Sequence, residues 1–586
     1  MQMWETAGIR NCSQAMLTDG GGPLTYNGSH TDGSSSTRTA LLTLGLTLAA
    51  FAIRLAWALM PRAVHWDEPD YLILARNLLR GQGYQVYGLP ELHIPPIGPW
   101  LATLALSLGA PVDLAMSLWH VLAGALLCGL IFATAREVTG NDSAAALAAL
   151  LAAFSPALVV RPLYWGSMTE SLFLLALWSG IWAAWRMLNG PSLARPAGPF
   201  GRPGWQAGLA AGLAFGTSYL IRPEGLLWWA ALAAVAVVLV IRRWRQGTAG
   251  RQGILLGGGA ALAVYLVAFL VLAAPYWLYL YHYTGQFLLS GKTGITLLQA
   301  GNLMGDVGTT LDSSGDEVLW LSPERYRIGV TSVAEADPVG LLRRFVANVR
   351  SAPGTVLSTL IPLYLIAFIA LGLWALPWNR RRLKAEGFWL ICLLPLLIVP
   401  LTHMLSRLLL PLVPIALVWA GFGVQRLIAW GEGTMTATSP ATRPAYRVAK
   451  RLWPALVIGL LVVLSLRGQS SAEREGQASI TPSHKEAGLW LAATSRLGEG
   501  IMTRNTEIAL YADRAPVDFP NAPLDQVLSY ARGHNAHYLV VDDIELSLLR
   551  PQLAYLADPL RTPPELERLA TFPGPVRTTY VFRVIY

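Results

Sequence analysis

The chain has 586 residues, of which 54% are hydrophobic and 13% charged, and a mean hydropathy of +0.44, which excludes an ordinary soluble protein. Its net charge of +9 does not point to nucleic acid, because the Lys and Arg residues fall in short clusters between apolar runs, as the positive-inside rule produces. The three cysteines, Cys12, Cys128 and Cys392, fit neither a disulfide framework nor a zinc spacing, so the partner that composition demands is a lipid bilayer.

Residues 1–37 are rich in Gly, Ser, Thr and Asn and lack a basic n-region followed by an apolar h-region, which predicts a disordered cytoplasmic tail. A first span is expected from Thr39 to Met60. Arg54 lies well inside it, either as a functional intramembrane charge or as a side chain snorkelling to the surface.

The stretch His65-Trp66-Asp67-Glu68-Pro69-Asp70-Tyr71 then places three carboxylates where the chain leaves the membrane. Two readings stay open on the residues alone. Asp67, Pro69 and Asp70 suit the N-terminus of an amphipathic surface helix whose polar face carries Arg76, Asn77 and Arg80. Alternatively, Asp67 or Glu68 is a general base presented at the bilayer boundary.

Residues 95–108 read as a short juxtamembrane element broken by prolines. Further spans are expected near 112–135, 144–160, 168–187, 206–221, 225–241, 253–278, 354–376, 387–402, 408–428 and 452–466, about eleven in all. Basic clusters at Arg186, Arg195 and Arg202, at Arg242, Arg243, Arg245 and Arg251, and at Arg380, Arg381, Arg382 and Lys384 mark one side as cytoplasmic. The N-terminus is then cytoplasmic, and the Asp67 loop, the loop before Glu170 and the turn Ile221-Arg222-Pro223-Glu224-Gly225 share the opposite face. Asp67, Glu68, Glu170, Arg222 and Glu224 thus form a candidate site, with headgroup anchoring or helix capping as the plainer role of each taken singly.

Extracytoplasmic loops are expected at 62–111 and 279–353, the second carrying His282, Lys292, Arg343, Arg344 and Arg350. Residues 467–586 read as a separate soluble, extracytoplasmic α/β domain, with strands at Ile501–Thr503, His537–Val541 and Thr579–Tyr586 and a helix at Pro523–Arg532. Asp542-Asp543 ends a strand and reads as a solvated strand end, with a metal site as the alternative.

The pair Asp67-Glu68 with Tyr71, Ala75 and Asn77 behind it, followed by His93 and Pro95-Pro96, resembles the polyprenyl-phosphate-sugar-dependent GT-C glycosyltransferases. The likeness is greatest to the glycosyltransferase family 39 group, which includes protein O-mannosyltransferases and lipid A aminoarabinose transferases. It covers roughly residues 40–465 and implies an all-α polytopic membrane fold over 38–466 with juxtamembrane helices.

The resemblance implies Asp67 as base, with Glu68 and with Glu170 of Thr169-Glu170 supporting base or acceptor. It implies substrate contacts from Tyr71, His93, Arg222, Glu224, Lys292 and Arg407, the three cations facing phosphate. The expected partners are a polyprenyl-phosphate-linked sugar donor and a protein, lipid or glycan acceptor. No cofactor is certain; a divalent metal ion is left open, since His65, Glu91, His93 and His282 lie in external loops without a regular ligand spacing. The other functions weighed are a transporter or flippase of lipid-linked sugars and a noncatalytic envelope-assembly protein.

Overall fold

The computed structural model of the protein describes residues 33–166, 168–189, 204–246, 255–292, 335, 338–375, 377–402, 404–438 and 444–586. Outside the described residues lie most of the expected tail, the bulk of the loop 279–353, and Arg195, Arg202, Arg251 and His403. The chain divides into two compact units, Met1–Leu44 and Gly45–Tyr586, and every candidate functional residue belongs to the second.

Among the described residues, eight helices are long and apolar enough to cross a membrane: Thr39–Ala58, Val112–Thr139, Glu170–Asn189, Gly225–Gln246, Gly257–Thr284, Arg380–Leu401, Leu412–Met435 and Val448–Gln477. A ninth results if Pro338–Leu360 and Leu363–Trp374, bent by 110°, form one span. The protein is a multi-pass membrane protein, and its many outward-facing Leu, Val and Trp side chains are what lipid contact requires.

The two remaining expected crossings are helical but short, Asp142–Phe154 and Trp205–Ile221. The first stops because Ser155, the residue before Pro156, is extended (φ −61°, ψ 122°). Its freed carbonyls explain Arg54, whose guanidinium donates to Ala152 (3.2 Å), Ala153 (3.4 Å) and its own Ala50 (3.2 Å) and is fully buried. Arg54 therefore neither snorkels nor lines a pathway; a cation here satisfies the negative end of a broken helix. Small residues let other helices approach closely: a Cβ on Gly212 would run into the backbone of Tyr265, and one on Gly423 into that of Phe368.

Helix Glu68–Leu79 starts with Pro69 in its first turn and stops at Gly81, which holds φ +71°. Tyr71, Leu72, Ile73, Leu74 and Ala75 are all buried, so this is no helix lying free at a surface. The expected juxtamembrane element is the eleven-residue helix Ile97–Ser107, packed against it.

The final long helix runs from Pro444 to Gln477, past the expected boundary at 467, and delivers the chain to an α/β domain. Its five strands lie in the order Pro516–Val517, Gly500–Met502, Ala536–Asp542, Thr579–Val584, Leu566–Phe572. The first three are mutually parallel and the last two pair antiparallel, with Val540 opposite Val581. Period-two alternation sends Leu539 and Val541 into one core and Tyr538 and Val540 into the other, so the central strand is covered on both faces.

Candidate active site

The site forms where several stretches of chain meet, among them the turn into helix Glu68–Leu79, the segment before helix Glu170–Asn189, the turn after Trp205–Ile221, and the single-turn helix Ser406–Leu409. Asp67 stands at the N-cap position of its helix, but in helical conformation (φ −78°, ψ −16°) and without a side-chain bond to the helix. Its carboxylate is turned instead to Arg407, 340 residues on, whose Nη1 donates at 2.9 Å and also reaches the Trp165 carbonyl at 3.1 Å. The capping role is therefore not the one the structure gives it.

The loop around Asp67 is under backbone tension. Trp66 (φ 55°) and Met168 (φ 49°) are two of the few non-glycine residues at positive φ among those described; the first adjoins Asp67 in sequence and the second packs on Arg62. Gly166 (φ 98°) faces this turn so closely that a Cβ there would stand 2.8 Å from the Trp66 Cβ and 3.0 Å from the Asp67 nitrogen. Trp66 keeps 65% of its surface exposed. Such strain survives only where neighbours over-determine the backbone. Here they do: the His65 ring bonds the Ala63 and Tyr164 carbonyls at 3.2 Å each, and the Glu68 amide donates to the His65 carbonyl.

Glu68 stands apart from the site proposed for it. Both its oxygens are taken by Arg62 (2.7 and 2.8 Å), and both side chains are buried. Burial pushes the Glu68 carboxyl up against the pull of Arg62. Both Glu68 oxygens thus face Arg62 and not Arg407, and the pair fixes the turn. Arg62 was overlooked in the sequence because a single arginine six residues upstream carries no motif.

The other expected residues are gathered. Arg222 bonds Glu170 at 2.9 Å and Glu224 at 3.3 Å and lies 5.8 Å from the Phe173 ring. Burial disfavours the Arg222 charge, yet Glu224 and Glu170 raise its pKa above the usual value. Burial likewise opposes ionisation of Glu224, and Arg222 and Lys292 hold it below the usual range. Tyr71 shares the field of Asp67, Arg222, Glu170 and Arg407, and burial pushes its hydroxyl up, so it remains a neutral phenol. Gly98 leaves room for its ring, since a Cβ would come within 2.6 Å of it.

Lys292 and His93 complete the group. Burial, then the charge of Arg222, lowers the Lys292 pKa, while Asp67 and Glu224 oppose the shift. Burial, then Lys292, drives His93 down to about 3, so it is a neutral imidazole. Burial disfavours the charged form of Asp67, but Arg407 and then Lys292 hold its pKa below the usual carboxylate range. It is thus ionised, and 46% of its side-chain surface is accessible. One of the Glu170 oxygens, in contrast, is buried without a hydrogen-bond partner among the described residues.

Among the described residues no three His, Cys, Asp or Glu side chains converge to hold a metal ion. Glu91 spends one oxygen on the His93 and Ile94 amides (2.5 and 2.9 Å).

The fold is one with solved counterparts. The chain carries the GT-C fold of membrane glycosyltransferases. A family model described as dolichyl-phosphate-mannose-protein mannosyltransferase matches residues 93–277, which include His93, Glu170, Arg222 and Glu224. The chain is similar in structure to ArnT from Cupriavidus metallidurans in the apo state, at 14% identity and a TM-score of 0.52, over 93% of this chain and 98% of that one. It is similar to the same protein bound to undecaprenyl phosphate, at 14% identity and a TM-score of 0.50, over 94% and 98%. A third is the archaeal oligosaccharyltransferase AglB from Archaeoglobus fulgidus in complex with an inhibitory peptide and a dolichol-phosphate, at 14% identity, TM-score 0.50, over 88% and 70%. At this identity what is shared is the fold. No curated protein matches the chain in sequence.

Proposed function

We propose that the protein transfers a sugar from a polyprenyl-phosphate donor to an acceptor hydroxyl on the extracytoplasmic side of the membrane, with Asp67 as general base. The observation that carries this reading is the pairing of an ionised, half-open Asp67 with Arg407, in a group that also holds Lys292 and Arg222. An acceptor hydroxyl is a weak nucleophile, and a carboxylate that takes its proton contributes about 10² to 10⁴ in rate. Cations where the phosphate departs stabilise the charge that develops there.

The three cations differ in availability. Arg222 is already bonded to Glu170 and Glu224, so its main task is to hold them. Arg407 and Lys292 are the phosphate contacts. A phosphate drawn to them competes with Asp67 for their charge, and its arrival raises the proton affinity of Asp67 as the acceptor is to be deprotonated. Base and leaving group on opposite faces of the anomeric carbon give inversion, without the acid–nucleophile carboxylate pair of a retaining hydrolase. The structures of ArnT with undecaprenyl phosphate and of AglB with a dolichol-phosphate support a lipid phosphate as the donor's carrier.

The test is transfer of radiolabelled sugar from a panel of polyprenyl-phosphate donors by membranes containing wild type or Asp67→Asn at matched expression. Loss of transfer in a variant that still folds and inserts supports the reading. Equal transfer by both removes Asp67 as base. No transfer by wild type from any donor removes the transferase reading itself.

A further inference from the structure

The C-terminal domain reaches the strained turn that carries Asp67. Its helix Thr506–Ala512 packs on helix Glu68–Leu79. Several polar contacts join the domain to the body here. The Val64 amide donates to the Tyr511 hydroxyl at 2.7 Å, and that hydroxyl donates onward to Asp113 at 2.5 Å. Thr506 donates to Asp70 at 2.9 Å. Arg76 and Arg80 converge on Asp513 at 3.0 and 2.7 Å.

These contacts flank an apolar one, since Ile480 and Leu510 are buried in one core with Ala63, Val64 and Leu72, and the Tyr511 ring packs against it. A cavity of about 470 Å³, walled by Leu72, Arg76, Asp113, Lys485, Tyr511 and Asp513 among others, runs along the seam. The apolar contact is non-directional, so the orientation of the loop backbone depends on the few polar bonds beside it. One of them, at Tyr511, is made to the backbone of the loop itself, three residues before the base. Asp113 anchors the bridge from the membrane side, since Lys485 pairs with its carboxylate and Arg62, the partner of Glu68, donates to its carbonyl at 2.9 Å. Val64 is buried, so its amide has no water to replace the tyrosine oxygen.

We propose that Tyr511 is a positioning residue for the base: through this hydroxyl the C-terminal domain adds, to the bonds of His65 and of Arg62 with Glu68, the hold on Val64 that keeps the 62–67 turn in the strained conformation presenting Asp67 to Arg407. This rests on the reading of Asp67 as general base. The domain is then a working part of the active site, and its separation would let the turn relax toward ordinary backbone angles. Misplacing a reacting group by about 1 Å costs up to about 10² in rate.

The experiment uses the full-length protein in detergent or nanodiscs. Tyr511→Phe keeps the ring against Lys485 and deletes the oxygen. Hydrogen exchange of the 62–67 backbone is expected to rise by about tenfold, with kcat falling about 10- to 100-fold at an unchanged donor KM. Asp513→Ala loosens the domain at Arg76 and Arg80 without touching Val64, and is expected to leave kcat within about twofold. Exchange at 62–67 that stays at the wild-type level in Tyr511→Phe overturns the proposal, as does a loss seen only in KM. An equal loss of kcat in Asp513→Ala also overturns it, because docking in general, not the hydroxyl, would then be responsible. If wild type transfers no sugar at all, the transferase reading fails by itself, and the exchange measurement still decides whether Tyr511 holds the turn.

Discussion

Two clusters of acids and bases lie in this protein, one around Asp67 in the membrane-facing body and one inside the C-terminal domain, and they are built on opposite plans. In the second, His484 sits between Glu507 (2.8 Å) and Asp542 (3.2 Å), Arg577 bonds Asp542 at 2.8 Å, and the Glu545 amide donates to the other Asp542 oxygen at 2.7 Å. Asp542 is fully buried, not the solvated strand end expected from the sequence, and His484 keeps 3% of its side-chain surface. Around Asp67 the charges are as dense, yet the carboxylate keeps 46% of its surface and the loop is strained. The closed cluster turns its charges on one another, with Asp542 and His484 buried, as a stabilising network does. The open one leaves charge accessible and holds it in place from outside, which is the arrangement of a site prepared for a substrate.

Substitutions in both clusters put that contrast at risk. Asp67→Asn is expected to lower transfer by about 10² to 10⁴ with melting temperature unchanged; a variant that melts early but retains specific activity would place Asp67 with the structural cluster instead. Glu68→Gln should do the reverse, destabilising the fold by about 3–5 kcal/mol because Arg62 is left buried and unpaired. Thermal melting reads that loss, and turnover per folded molecule is expected to hold.

Arg407→Gln removes a phosphate contact and is expected to reduce kcat by about 10² to 10³. It should also shift the acid limb of the kcat/KM profile upward, since Arg407 is the leading cation holding the Asp67 carboxyl down. Titrating initial rates against pH checks both.

The smallest effect belongs to His484. Burial opposes its charge, but its bonds to Asp542 and Glu507 raise its pKa to about 9 from 6.5. A raised folded-state pKa gives stability that is complete below the unfolded value and is lost as pH climbs through the folded one. The domain should therefore weaken between pH 6.5 and about 9, by on the order of 3 kcal/mol. Denaturant unfolding at several pH values reads it, and His484→Gln should flatten the dependence.

Much of the body was legible in advance. The apolar segments fell where helices are, because bilayer thickness imposes a length that any window of about 20 residues detects. Ile97–Ser107 was read as short because its prolines forbid a long helix. The site residues on turns were found for a similar reason: Asp67, Glu170, Arg222 and Arg407 are charges beside apolar runs, where a charge is conspicuous. The roles were less legible than the positions. Glu68 and Asp67 are neighbours in sequence, yet a helix turns consecutive side chains about 100° apart, so one meets Arg407 and the other Arg62. Arg76 and Arg80 read as a polar face turned to water, and they are instead a docking surface for Asp513.

The sequence by itself determined that this protein lies in a membrane, where most of its helices run, that an α/β domain follows, and which charged residues stand at the ends of spans. Each of these depends on composition or period within a short window. The tertiary structure alone decided that Arg407 meets Asp67 across 340 residues, that Arg54 caps a broken helix, and that Tyr511 grips the backbone at Val64. These pairings join segments with no local relation, and only the packing of helices and domain sets which side chain reaches which partner.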